Sequence, residues 1–157
     1  MNNSLEKFIK LTFKKSGKAL DLGAGKFFDV ACMKQLGWKC EGVDINTGID
    51  LELPFLSVNK PFDLVYSNYV IQKLNNKKQL LTTAYENLKD GGWFFLHTFD
   101  VSDKTSKSNP PRLSKKTTTD MMTEIGFKNI SFKIFSFYDN DTGHKHWHKI
   151  LEIVSQK

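Results

Sequence analysis

Two apolar segments, each ending in a carboxylate and joined by a glycine-punctuated turn and a helical stretch, constrain this chain more than any other feature. The first reads Lys18-Ala19-Leu20-Asp21-Leu22-Gly23-Ala24-Gly25-Lys26 and the second Glu41-Gly42-Val43-Asp44-Ile45-Asn46. Strand, glycine turn, helix and strand make a βαβ unit, which requires a parallel sheet. Gly23 and Gly25 stand where backbone and ligand must nearly touch, and Asp44 closes the second strand with oxygens able to accept from both ribose hydroxyls. The arrangement suits the adenosine part of a nucleoside-bearing cofactor, and two large enzyme classes share it.

The rest of the chain alternates in the same way. An amphipathic helix is expected over residues 5–15, from Leu5, Phe8, Ile9 and Thr12 at helical spacing. A strand follows over 18–22, a helix over 27–36 ended by Gly37, and a strand over 39–45. Residues 46–55 are punctuated by Gly and Pro and leave no room for a full helix. The near-continuous apolar run Phe62-Asp63-Leu64-Val65-Tyr66-Ser67 reads as a strand covered on both faces. A helix is expected over 77–88, a stop and turn at Lys89-Asp90-Gly91-Gly92, and a strand over 93–99. Residues 101–118 form one long polar stretch, expected as a loop at the edge of the site. A short helix over 119–125, ended by Gly126, precedes strands over 128–138 and 146–154 with a turn at 139–143. A hairpin cannot join parallel neighbours, so one of these last strands must run against the rest.

Length and composition set the bounds. The chain has 157 residues, 39% of them hydrophobic and 13% aromatic, enough for one domain with a packed core burying roughly 70% of its unfolded surface. A single domain over 1–157 is expected. No apolar run approaches the roughly 20 residues that cross a bilayer, and the first residues lack the apolar stretch of a signal peptide. Two cysteines, Cys32 and Cys40, make no framework of staples and match no zinc spacing. A cytoplasmic, reduced protein without membrane partners is the expectation. The net charge of +6 invites a nucleic-acid reading, but Arg112 is the only arginine, and lysines are spread along the chain; a solvated basic surface accounts for them.

With these segments in place, the chain resembles the class I S-adenosylmethionine-dependent methyltransferases over nearly its whole length. The resemblance rests on Asp21-Leu22-Gly23-Ala24-Gly25, on Asp44 at the second strand end and on Asp50-Leu51-Glu52-Leu53-Pro54-Phe55. It extends to Phe62-Asp63-Leu64-Val65-Tyr66-Ser67-Asn68, Leu88-Lys89-Asp90-Gly91-Gly92 and Glu124-Ile125-Gly126-Phe127. It implies a Rossmann-like, doubly wound α/β fold with a mostly parallel sheet and a C-terminal antiparallel hairpin strand. Residues 44–62 are too few for the family's third strand and its preceding helix, which should be reduced or missing. Phe27 occupies the third glycine position of the loop and could set an aromatic ring against the cofactor.

The resemblance implies S-adenosylmethionine as cofactor, held by Asp21, Gly23, Ala24, Gly25, Asp44, Ile45, Asp50, Leu51, Ser67 and Asn68. Asp21 would order the loop and face the amino-acid moiety. Asp50 is either an acceptor for the adenine amino group or an ordinary turn acid. Asn68, Tyr69 and His97 are candidates for a catalytic role, His97 as a general base or as a satisfied structural histidine. His144, His146 and His148 share one strand face; the reading is a structural or solvent-exposed stripe away from the cofactor side, with no metal. Asn109-Pro110-Pro111 imitates an amino-methyltransferase motif but follows the wrong strand. A small-molecule methyl acceptor is expected, with RNA or protein as further options. A catalytically silent cofactor-binding subunit and an NAD-type domain are the alternative readings.

Overall fold

The structure, a computed structural model, describes residues 1–103, 112–141 and 144–157. The Asn109-Pro110-Pro111 triplet and much of the expected polar loop lie outside the described residues. The elements are α1 (Asn3–Thr12), β1 (Lys18–Leu22), α2 (Phe28–Gln35), β2 (Lys39–Val43), β3 (Phe62–Asn68), α3 (Lys77–Asn87), β4 (Leu88–Phe99), α4 (Lys115–Ile125), β5 (Lys128–Asp141) and β6 (His144–Gln156). They build a six-stranded sheet in the order β2-β1-β3-β4-β6-β5. The pairs β1–β2, β1–β3 and β3–β4 are parallel, whereas β6 runs antiparallel to both β4 and β5.

Period-two alternation along the strands divides the core between the two sheet faces. Leu20, Leu22, Val65, Phe94 and Leu96 turn toward α3 and α4, where Leu80, Leu81, Met122 and Phe127 meet them. Ala19, Leu64, Tyr66 and Phe95 turn the other way, against Leu5 and Ile9 of α1 and Val30 and Met33 of α2. Among the described residues no helix is long and apolar enough to cross a membrane.

No strand or α-helix occupies residues 44–61; only a 3-10 turn, Ile45–Thr47, interrupts the loop. Polar clips hold this segment where a strand would have been. Asn87 is fully buried: its Oδ1 accepts from Ser57 N (2.9 Å), and its Nδ2 donates to Phe55 O (2.9 Å) and Thr83 O (2.8 Å). Glu52 takes the backbone N–H groups of Asn75 (2.7 Å) and Asn76 (2.8 Å), and these bonds hold its carboxyl below the usual range.

Several boundaries differ from expectation, each for a local reason. Lys89–Gly92 is not a stop and turn. Strand pairing jumps from Phe62↔Leu88 to Leu64↔Trp93, so these residues form an irregularity inside one continuous β4, with Gly91 at φ 72°. Helix α4 begins four residues earlier than the polar pattern suggests, because Ser114 and Thr117 form a reciprocal capping box. The last two strands run longer than 128–138 and 146–154, reaching almost to the hairpin tip. Helix α1 starts at Asn3 because the Asn2 side chain accepts from Ser4 N and Leu5 N.

Phe27 departs from its expected role. It sits at φ 60°, just before α2, and its ring packs toward the α1–α2 face of the sheet rather than into the ligand cavity. The neighbour that makes this possible is Gly42, where a Cβ would lie 2.7 Å from Val30 Cγ2, 2.8 Å from Ala24 Cβ and 3.0 Å from Phe27 Cε1. The close helix–strand approach usually granted by a third loop glycine is granted here from the strand.

Candidate functional site

The parallel strands β1, β2 and β3 all end at one edge of the sheet, and the turn after each contributes to a cavity of about 600 Å³. Asp21, Gly23, Ala24 and Gly25 come from the β1 turn, Asp44, Ile45 and Asn46 from the β2 turn, and Asn68, Tyr69 and Val70 from the end of β3; Asp50 and Leu51 close one side. Ligands enter open α/β sheets at this edge. Of the expected cofactor residues, Ser67 alone is not on the wall. It is fully buried, and its hydroxyl donates to Leu22 O (2.7 Å), tying the ends of β1 and β3 together.

The glycines differ in what they do. At Gly23, φ is +90° and a Cβ would stand 2.2 Å from Val70 Cγ2, so the turn and the segment after β3 are packed backbone to side chain. At Gly25 a Cβ would meet nothing within 4 Å. Its N–H donates to Asp44 Oδ2 (2.9 Å). Asp44 Oδ1 accepts from Asn46 N (3.0 Å) and Nδ2 (2.7 Å). The Asn46 backbone bond leads, with Gly25 N assisting, in holding this carboxyl below its usual range despite partial desolvation. A fixed carboxylate with lone pairs to spare fits a vicinal diol.

Asp21 is the electrostatic opposite. It is 3% exposed, and burial, with Asp29 and Asp44 adding repulsion, pushes its carboxyl up to about 8 against a hydrogen bond from Tyr66. Asp29, in the first turn of α2, also lines the cavity. Its Oδ2 accepts from Asn68 Nδ2 (2.9 Å), and its Oδ1 from Asn2 N (3.2 Å). Sequence reading missed Asp29, which looks like an ordinary first-turn acid; its position shortly past the Gly-rich turn was the available signal. Lys26, Phe28, Asn46, Ile49, Lys73 and Leu74 also line the wall.

A second cavity, of about 500 Å³, adjoins the first, and Tyr69 lines both. Tyr69 holds φ 58°, a conformation that costs about 1 kcal/mol or more and persists only when its surroundings enforce it. Its N–H donates to His97 O (2.9 Å), its carbonyl accepts from Gln72 Nε2 (2.8 Å), and Gln72 Oε1 accepts from Thr98 Oγ1 (2.9 Å). Burial, with repulsion from Asp139 and Glu152, pushes its phenol up to about 12, so the ring is a neutral wall.

His97 lines the second cavity, but both of its nitrogens are engaged. Nε2 lies 2.8 Å from Glu152 Oε2 and Nδ1 lies 3.0 Å from Asn2 Nδ2. Since an amide NH2 can only donate, Nδ1 is the acceptor and Nε2–H faces Glu152. Both ring nitrogens are thus partnered within the protein, and the ring itself is 2% exposed.

The histidine stripe also needs correction. Because β6 is antiparallel, Ile150 pairs with Phe99 at the C-terminal end of β4, and residues before Ile150 project beyond the cofactor edge. His148 therefore lines the second cavity. Its Nδ1 is 3.1 Å from Asp103 Oδ2 and its Nε2 is 3.8 Å from Asp139 Oδ2. The His144 side chain lies outside the described residues. Among those described, no three His, Cys, Asp or Glu side chains gather as a metal site.

A protein-family model described as a methyltransferase domain matches residues 1–149, and the chain belongs to that family. No curated protein matches the sequence. Among solved structures, TehB from Haemophilus influenzae superposes with a TM-score of 0.78 at 13% identity, over all of this chain and 62% of that one. Phosphoethanolamine N-methyltransferase 2 from Haemonchus contortus, in complex with S-adenosyl-L-methionine, gives 0.74 at 16% identity, over 99% of this chain and 52% of that one. An S-adenosylmethionine-dependent methyltransferase from Archaeoglobus fulgidus gives 0.71 at 17% identity, over 98% of this chain and 91% of that one. At such identities the likeness is one of fold, and this chain spans about half the length of the Haemonchus enzyme.

Proposed function

We propose that this chain is an S-adenosylmethionine-dependent methyltransferase that binds its cofactor in the 600 Å³ cavity and acts on a small-molecule acceptor in the adjoining one. The observation that carries this reading is the charge of the cofactor wall: Asp29, Asp44 and Asp50, with a protonated Asp21 that a cation can ionise, stand against Lys26 and Lys73. A dinucleotide would bring a pyrophosphate to the β1 turn, among carboxylates. A sulfonium with an α-ammonium group brings cations there instead.

The residues fit this cofactor, with Asp44 for the ribose diol, Asp50 and Leu51 beside the base, and Asp21 and Asp29 toward the ammonium end. Ser67 supports the wall from behind. When bound, the cofactor supplies a methyl carbon on a sulfonium, already primed to leave. The protein's own part is positioning and exclusion of water. Tyr69, held by backbone bonds on both sides, is the partition against which the two reactants meet. Asn68 links that partition to Asp29 and so to α2. None of these side chains must act as a nucleophile.

Calorimetric titration with S-adenosylmethionine, S-adenosylhomocysteine and NAD tests the reading. The first two should bind and NAD should not. NAD binding without S-adenosylhomocysteine binding would overturn it. An acceptor of small-molecule size is supported by the second chamber, an open cleft lined by residues 1–4, by Tyr69 and by β4, β5 and β6.

A further inference from the structure

The second chamber has a chemical character of its own. The rings of Tyr69, Phe99, Phe135 and Phe137 line it, together with the Asp139 carboxylate. Tyr69 and Phe99 stand with centroids 5.3 Å apart, and His148 lies 4.6 Å from Phe99. No lysine or arginine is among its described lining residues, in a chain where 23 of 157 residues are basic. The single guanidinium nearby, Arg112, is 5.2 Å from the Phe99 centroid and is matched by Asp103 at 2.8 Å. His148 stands between Asp103 and Asp139, and Glu152 lies behind His97. Met1, Asn2, Asn3, Ser4 and Ile150 complete the wall; the Met1 ammonium faces Asp29 at 3.7 Å, and Lys133 stands over the Phe135 ring, 5.1 Å from its centroid, on the side of Glu152. Two of those carboxylates, Asp139 and Glu152, also act on the Tyr69 phenol, which they disfavour from ionising.

Resting on the methyltransferase reading, we infer that this chamber takes the acceptor as a small organic ammonium ion, whose charge Asp139 and the aromatic rings recognise. Rings attract a desolvated cation through their quadrupoles, and a carboxylate at the same wall rejects anions. A volume of about 500 Å³ suits a molecule of drug size or smaller. The acceptor binds as R–NH3⁺ and loses one proton to water at the chamber mouth. Its nitrogen lone pair then forms the new N–C bond as the C–S bond of the sulfonium breaks. The electron pair of that bond stays on sulfur, and the product R–NH2⁺–CH3 carries the positive charge. Tyr69, common to both chambers, is where nitrogen and methyl carbon face one another.

The test is a binding experiment on the full chain at neutral pH, read by calorimetry, with and without S-adenosylhomocysteine. The probes are phenethylammonium, benzylammonium and tetramethylammonium, with phenethyl alcohol and hydrocinnamate as neutral and anionic counterparts. At least one ammonium probe should bind about tenfold or more tightly than the alcohol, and hydrocinnamate should bind weakest. Asp139→Asn should collapse the ammonium-to-alcohol ratio. Phe137→Leu, a change at a half-exposed site, should lower that ratio. The ratio is read rather than absolute affinity, because His148 neighbours Asp139. No binding of any ammonium probe at millimolar concentration, equal binding of the alcohol, or a ratio unmoved by both variants overturns the proposal. If S-adenosylhomocysteine binds and the ammonium ions do not, the acceptor class falls and the cofactor reading stands. Ammonium binding without S-adenosylhomocysteine binding removes the cofactor reading and leaves cation recognition in place.

Discussion

Replacing Asp21 by Asn should make the protein more stable and a poorer binder, and the gain should depend on pH in a defined direction. In the folded chain burial raises the Asp21 carboxyl from 3.8 to about 8, whereas in the unfolded chain it titrates normally. Between those values the folded state holds a proton that the unfolded state has released, so stability falls as pH rises through that window and is level beyond it. Each pH unit crossed inside the window costs about 1.4 kcal/mol, so the cost at pH 7 has a ceiling of about 4 kcal/mol. Water entering the open cavity relieves part of the repulsion from Asp29 and Asp44, which leaves an expected gain of about 2–3 kcal/mol. Asn fits the same space, can still accept from the Tyr66 hydroxyl, and does not titrate. Urea unfolding of both proteins across pH 4 to 8.5 measures the difference, with titrating groups remote from Asp21 cancelling. The gap should be near zero at the acid end, widen steadily, and level off above pH 8. A gap independent of pH, or one that widens toward acid, refutes the reasoning. A cation bound beside Asp21 should also draw off its proton, so the wild-type binding enthalpy at pH 7 should vary with the buffer's ionisation enthalpy and that of the variant should not.

Three further outcomes are expected. Asp44→Ala removes two charge-assisted acceptor positions and should weaken S-adenosylhomocysteine binding about a hundredfold by calorimetry, a loss near 3 kcal/mol; unchanged affinity would remove Asp44 from the site. Gly23→Ala and Gly25→Ala should fail differently. The first drives a Cβ into Val70 and should cost several kcal/mol of unfolding free energy. The second should cost only about 1 kcal/mol for its left-handed backbone and show its effect in ligand binding, because its Cβ projects into open space. Asn87→Ala breaks three buried hydrogen bonds and should cost about 3 kcal/mol in urea unfolding; a loss below about 1 kcal/mol would show that the 46–61 loop is held by other contacts.

Local chemistry made much of the sheet readable in the sequence. Strands β1 and β3 are covered on both faces and so are short and apolar, and the glycine turn between β1 and α2 has a conformational need that few residues meet. The reading faltered where local and tertiary signals disagree. Gly91-Gly92 has the composition of a turn, yet pairing with β3 and the chain's last residues draws it into β4. The capping box at Ser114 lay within a polar run that masked it. Phe27 looked like a ligand contact because nothing local reveals that Gly42 leaves space for its ring. His97 needs Glu152, 55 residues away, before its role can be told. The position of His148 follows from strand direction alone: an antiparallel β6 must begin at the edge where the parallel strands end.

That strand direction has a wider consequence. Every residue lining the first chamber lies between positions 21 and 74, whereas β4, β5 and β6 supply most of the second, with Tyr69 as the shared member. The two chambers are thus written on separate stretches of the chain. Substitutions in the β5–β6 arm can reshape one without disturbing the other, and the arm's far end lies outside the packed core. A chain organised in this way can exchange what it modifies while keeping the means of modification, and a graft of residues 135–150 between relatives is the direct way to move one specificity onto another.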